Sequence, residues 1–302
     1  MKKCIVYNTC AFGKSRVMLC GTGRMHTAYN SVPLIRSVVI MPTTIIENTV
    51  CHYRTSPRAP ENAPVVLCVH GSGATSLVWS YQISRLGRLF RILAPDLPGH
   101  GDSDGSPLPS AAAYAAWLHR FAASWTDGAL FLCGHSFGGA IVQEYVRLFP
   151  DTVRGLILVS TGIRFALSQA YRQLCTAGID PREDGFLNAL PEPLRQGYGF
   201  LKHVGGDALH ADLMAAGAFD SSAWIGAVKK PALVIRGASD AITPDALPRE
   251  LADRIPGALF EEIPGAGHVV MIDAPNAFNN SLRVFVERCA AFSPPAAVAS
   301  AQ

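Results

Sequence analysis

Leu130-Phe131-Leu132-Cys133-Gly134-His135-Ser136-Phe137-Gly138-Gly139 is an apolar run that ends in Gly-x-Ser-x-Gly, and a helical pattern follows from Ala140 to Phe149. A strand that turns sharply into a helix needs small residues on both sides of the turn. Gly134 and Gly138 supply them, which leaves the Ser136 hydroxyl exposed at the tip. The same turn puts the Phe137 N–H at a helix N-terminus, where partial positive charge can meet a developing oxyanion. Gly and Ser are common loop residues, so the pattern alone also suits a Gly-rich turn with no chemistry. The flanking strand and helix add weight, and a base and an acid at later strand ends decide the matter.

Working outward, apolar runs alternate with helical stretches. Val65-Val66-Leu67-Cys68-Val69 reads as a strand buried on both faces and leads into His70-Gly71-Ser72-Gly73. A helix near Trp79–Leu86, a strand at Phe90–Ala94 and a helix from about Ser110 to Trp125 precede the Ser136 strand. Val153–Val159, Ala232–Gly237 and Leu259–Ile263 are further strands, with helices at Pro244–Ile255 and about Pro275–Phe292. Upstream, Pro42–Glu47 and Val50–Arg54 read as a hairpin turning at Asn48-Thr49. This alternation predicts an α/β protein with a mostly parallel, helix-flanked sheet. From about Gly162 to Ala227 the rhythm breaks into short helical pieces separated by Gly and Pro, as in a cap inserted over the sheet edge.

The ends differ from the body. Residues 1–40 hold six basic residues and no acid, with no sustained period. We read this leader as outside the fold, with Met41 as the true start favoured over an organelle transit peptide. The tail 293–302, with Pro294-Pro295 and small residues, reads as disordered. Removing the leader's six from the 26 basic residues leaves 20 against 23 acidic ones, so the body is mildly acidic. No basic patch interleaved with aromatics and no zinc spacing occurs, so nucleic acid is not an expected partner. No apolar run reaches the ~18 residues of a membrane span. The eight cysteines are scattered, and a reducing, cytoplasmic compartment is expected, or an organelle if the leader is a genuine transit peptide. Oligomeric state is not legible here.

Ser136, Asp240 and His268 each follow a strand-like run, at Gly134-His135-Ser136, Gly237-Ala238-Ser239-Asp240 and Gly265-Ala266-Gly267-His268. In an open parallel sheet all strand C-termini share one edge, and ligands bind there. Serine is a poor nucleophile until a base takes its proton. Histidine, with an ordinary pKa of about 6.5, can take it and return it to a leaving group. Asp240 would hold the imidazole tautomer and stabilise the imidazolium. Asp245, past Pro244, is the competing acid and reads as a helix-start carboxylate.

Those three segments, with His70-Gly71-Ser72-Gly73 and Asp96-Leu97-Pro98-Gly99-His100-Gly101-Asp102-Ser103, occur in the order found in the α/β-hydrolase fold superfamily. The chain resembles that superfamily over about residues 43–292. The resemblance implies an eight-stranded, mostly parallel sheet with a helical cap inserted after the sixth strand. It implies a Ser136–His268–Asp240 triad, with the Ser72 and Phe137 N–H groups as the oxyanion hole. His70, Gly71, Gly134 and Gly138 are then supporting residues. No metal, flavin or nicotinamide cofactor is implied.

The remaining polar residues take structural readings. Asp96, His100 and Asp102 set a turn, and His135 is a packed neighbour of Ser136. His203 and His210 are solvated, and Asp207 and Asp212 are too irregularly spaced for a metal. Tyr114, Trp117 and Phe121 form a core stripe.

Relatives that open epoxides or displace halide carry Asp at the elbow, so Ser136 leaves ester, thioester and lactone hydrolysis, acyl transfer, peroxyacid formation and C–C cleavage. Of these, hydrolysis of a carboxylic ester, thioester or lactone of a small to medium substrate through an acyl-enzyme is the favoured reading. Cleavage of vinylogous 1,5-diketones ranks second: such enzymes carry Gly-Pro-Gly in the oxyanion loop and Trp after the histidine, where this chain has Gly73-Ala74-Thr75 and Val269-Val270. A ligand-binding member with little turnover is the reading from another class.

Overall fold

The computed structural model describes residues 42–56, 58–178 and 207–291. The leader, the tail, His203 and the Gly- and Pro-rich centre of the cap lie outside the described residues.

The strands are β1 (Thr43–Ile46), β2 (Thr49–Thr55), β3 (Val65–Val69), β4 (Arg91–Pro95), β5 (Leu130–His135), β6 (Val153–Val159), β7 (Ala232–Gly237) and β8 (Leu259–Ile263). They form one eight-stranded sheet in the order β1-β2-β4-β3-β5-β6-β7-β8. The two pairings made by β2 are antiparallel, and every pairing from β4 to β8 is parallel. The hairpin turns at Glu47-Asn48, one residue before the expected Asn48-Thr49. Both turn residues have positive φ, 49° and 64°, as a two-residue type I′ loop requires, and Asn tolerates that conformation.

The apolar runs divide between two faces with period two. Leu67, Val69, Leu132, Leu156, Leu158 and Val234 face one core. Their sequence neighbours Val66, Cys68, Phe131, Cys133, Ile157 and Val159 face the other. Both sides of the central strands are therefore covered, which is why these strands read as unbroken apolar runs. Helices α2 (Ala111–Ala123) and α3 (Phe137–Leu148) pack on the first face. Helices α1 (Ser80–Leu86) and, at the end of the chain, α8 (Pro275–Ala291) pack on the second. Tyr114, Trp117 and Phe121 are buried in the first core.

Between β6 and β7, helices α4 (Ala166–Thr176) and α5 (Asp207–Gly217) share a small core of Leu167, Tyr171, Leu209 and Leu213. A bridge from Arg164 to Asp220 closes the base of this insertion. Helices α6 (Ala246–Arg254) and α7 (Val270–Asp273) complete the described set. No helix among the described residues is long and apolar enough to cross a membrane.

The strand order sets the site. From β3 the chain moves to β4 on one side and then to β5 on the other. The loops leaving β3 and β5 diverge from adjacent strands, and a crevice opens between them. Val69 pairs with Gly134, so His70–Gly73 and Ser136 emerge side by side.

Candidate active site

Ser136 sits between β5 and α3 with φ 52° and ψ −122°. A non-glycine residue rarely holds positive φ, and here the close packing of α3 on the sheet enforces it. A Cβ on Gly134 would strike the Gly138 carbonyl, and one on Gly138 would strike the carbonyl oxygens of Val69 and His70. The two glycines let helix and strand approach, and the Phe137 amide stands at the N-terminus of α3.

Asp240 follows β7 and His268 follows β8. The two loops are tied by the Ser239 amide, which donates to the Ala266 carbonyl at 2.8 Å. His268 Nδ1 lies 3.0 Å from each carboxylate oxygen of Asp240. The Ile242 and Thr243 amides donate to Asp240 Oδ1, both at 2.9 Å. Burial alone would raise the Asp240 pKa. The His268 hydrogen bond and charge, with the two amides, outweigh it and hold the carboxyl below its ordinary value. Asp245 is engaged elsewhere, 3.1 Å from Arg236 Nη1 and 2.8 Å from Arg249 Nε.

His135 Nε2 donates to the His268 main-chain carbonyl at 2.9 Å. Burial, then the charge of His268, pushes the His135 pKa down to about 3, so it is a neutral neighbour of Ser136. His70 is neutral as well. Its Nδ1 donates to the Gly71 carbonyl at 2.9 Å, and its Nε2 accepts from the Leu97 amide at 3.1 Å. Burial, then the charge of His100, pushes its pKa down to about 4.

Ser136, His268, Ser72 and Phe137 all line one cavity of about 450 Å³, walled mainly by apolar side chains such as Phe165, Leu167, Leu213 and Ile272. Asp273 is the only Asp, Glu, Lys or Arg among the described lining residues. No cluster of metal-ligating side chains occurs among the described residues.

One residue has a role that the sequence did not assign, and one expectation needs correction. Asp212, read only as unsuited to a metal, is fully buried. Its Oδ2 accepts from the Gly73 amide at 3.0 Å and from His100 Nε2 at 2.8 Å, and its Oδ1 accepts from the Tyr114 hydroxyl at 2.9 Å. His210, expected to be solvated, is half-buried with Nδ1 2.7 Å from the Tyr171 hydroxyl. Nothing local in the sequence signals either contact, since the partners lie 39 to 139 residues away. Asp96 takes the expected structural place, accepting from the Ser76 amide at 2.6 Å and the Asp102 amide at 3.3 Å.

The sequence profile of the alpha/beta hydrolase family matches residues 66–280. An uncharacterised protein of Mycobacterium tuberculosis is 36% identical over 124 residues, which are 41% of this chain and 36% of that protein. The chain thus spans about a third of that relative's length. A pimeloyl-[acyl-carrier protein] methyl ester esterase of Chromobacterium violaceum is 29% identical over 245 residues, covering 74% of this chain and 94% of the esterase. The enol-lactonase of Burkholderia xenovorans superposes with a TM-score of 0.66 at 23% identity, covering 82% of this chain and all of that one. At that identity the likeness shows the fold.

Proposed function

Because the chain belongs to the alpha/beta hydrolase family, we propose that its site hydrolyses a carboxylic ester, thioester or lactone through an acyl-enzyme on Ser136. One observation carries the reading. Ser136, held in a strained turn, opens on the same cavity as His268, whose Nδ1 is bonded to Asp240.

The proposed steps use these groups in turn. Asp240 accepts from Nδ1–H, which leaves Nε2 as the basic nitrogen of His268. That nitrogen takes the Ser136 proton as the hydroxyl oxygen attacks the substrate carbonyl. The negative charge that forms on the carbonyl oxygen meets the Ser72 and Phe137 amides, the second backed by the partial positive charge of the α3 N-terminus. Collapse of the tetrahedral species expels the alcohol, which receives its proton from His268. Water then repeats the sequence on the acyl-enzyme.

The apolar walls suit an uncharged acyl chain of small to medium length. The esterase of Chromobacterium violaceum, by its name, acts on a methyl ester, which supports the reaction class.

The test is fluorophosphonate labelling of the wild type and of Ser136→Ala, with a panel of p-nitrophenyl esters of increasing chain length and a dienoate diketone. Labelling that depends on Ser136, with ester turnover, is expected. Turnover of the diketone alone would replace ester hydrolysis by C–C cleavage. Absence of both labelling and turnover would leave a binding protein.

A further inference from the structure

The peptide joining Gly71 to Ser72 carries the amide expected to meet the oxyanion, and its orientation is held from two sides. Its carbonyl accepts from His70 Nδ1 at 2.9 Å and from the Ala74 amide at 3.2 Å. In a trans peptide the N–H points away from the C=O, so these bonds set the direction of the Ser72 N–H. The next peptide is held through the Gly73 amide, which donates to Asp212 Oδ2 at 3.0 Å. Gly73 has φ +62°. Glycine populates either sign of φ about equally, so sterics do not keep it there.

Asp212 comes from α5, in the insertion, 139 residues from Gly73. Its side chain has no solvent exposure, and neither has more than a trace in its partner His100. Both ring nitrogens of His100 face acceptors, Pro98 O at 3.0 Å and Asp212 Oδ2 at 2.8 Å. Protonated, the ring satisfies both and forms a buried ion pair with Asp212. With the Tyr114 hydroxyl on Oδ1, the carboxylate is pinned by three donors and cannot turn away from Gly73. Such a pair adds little stability over well-packed apolar side chains, so its main effect is to fix geometry.

We propose that Asp212 is a positioning residue for the oxyanion loop, holding Gly73 so that the Ser72 amide points at the developing oxyanion. The proposal rests on the hydrolase reading above. Asp212 does not line the cavity. The cap helix thereby sets how well the catalytic edge binds the transition state, in addition to shaping the pocket.

The test compares wild type with Asp212→Asn, which loses the charge and one acceptor oxygen. Loss of one oxyanion donor costs about 10²–10³-fold in kcat. A loosened donor should cost about 10–10²-fold, with KM for a p-nitrophenyl ester changed by less than about twofold. Affinity for a trifluoromethyl ketone, which mimics the tetrahedral species, should fall in parallel. Tyr171→Phe loses the bond to His210 within the same insertion and none of the three bonds to Asp212, and should lower Tm while sparing kcat. Hydrogen exchange on the wild type provides a check if Asp212→Asn fails to fold. The Gly73 amide should exchange more slowly than in an unstructured peptide.

Three results would overturn the proposal: an Asp212→Asn enzyme with wild-type kcat, a kcat loss matched by Tyr171→Phe at equal loss of Tm, or unprotected exchange at Gly73 in the wild type. An inert wild type would instead overturn the hydrolase reading and this proposal with it.

Discussion

His135 donates from Nε2 to the main-chain carbonyl of His268 at 2.9 Å, so the turn that carries Ser136 is bonded directly to the loop that carries the histidine. His135 is buried there, and burial, followed by the charge of His268, keeps it neutral against the pull of that bond, which has a consequence for stability. His135 and His70 have folded pKa values of about 3 and about 4, below the ordinary value of about 6.5. Above pH 6.5 both states leave them unprotonated. As pH falls below 6.5 the unfolded chain binds protons that the folded one refuses, so stability is lost down to the folded values. Each group contributes at most about 1.4 kcal/mol per pH unit in that window.

His100 acts in the opposite sense. Burial would lower its pKa, but the Asp212 hydrogen bond and charge outweigh that and raise it. Its contribution is complete below pH 6.5 and is lost as pH rises through the folded value. Tm measured from pH 5 to 9 should therefore fall on the acid side, and His135→Gln should flatten that limb. An unchanged acid slope in His135→Gln would mean the buried ring is not the source.

Ser136, His268 and Asp240 should behave as one unit, because base and acid act only through the nucleophile. Ser136→Ala or His268→Ala should lower kcat by about 10⁴–10⁶-fold, and the double variant should be scarcely worse than either single one. Asp240→Asn should fold but lose about 10⁴-fold, since an amide can donate to the imidazole and favour the wrong tautomer. Asp245→Asn should leave turnover intact. Its carboxylate is half-exposed and serves Arg236 and Arg249, and Arg236 keeps Glu262 as a second partner. The reverse pattern in steady-state kinetics would move the acid to Asp245.

Gly138→Ala should destabilise the protein by about 1–3 kcal/mol, because the new methyl meets the carbonyl oxygens of Val69 and His70. It should also lower kcat, since α3 carries the Phe137 amide. Gly128→Ala is the control: its Cβ would have one neighbour, Thr126 Oγ1 at an ordinary 3.5 Å. Equal urea midpoints for the two variants would show that the close approach at Gly138 is not needed.

Much of the architecture was legible because it follows from period and position. Apolar runs such as Val65–Val69 could only be strands covered on both faces, and their alternation with helices implied a parallel sheet. The chain order of Ser136, Asp240 and His268 then placed all three at one edge. The hairpin was displaced by one residue because turn type depends on the φ of both loop residues, which composition signals only loosely. Asp212 was not legible at all. A carboxylate in a helix shows no sign that its partners, Gly73, His100 and Tyr114, are brought to it by three other segments. Those contacts belong to the tertiary arrangement and leave no mark at short range.

Exchanging the insertion should alter substrate preference, measured across an ester panel, more than it alters labelling of Ser136 by a fluorophosphonate. An unchanged preference order would remove the cap from specificity. The exchange should leave α5 in place.

That restriction follows from the bond between Asp212 and Gly73. Cap segments of this kind look like interchangeable modules, to be cut at the ends of the flanking strands. In this chain the natural seam lies inside the insertion, because α5 is fastened to the sheet's loops by a side chain that a foreign cap would have to reproduce. A chimera cut at β6 and β7 would inherit a pocket of new shape and an untethered loop beside Ser136. One that retains residues 207–217 would keep the bond that holds Gly73. Recombination of this chain with a foreign cap therefore has a preferred crossover point, set by one hydrogen bond.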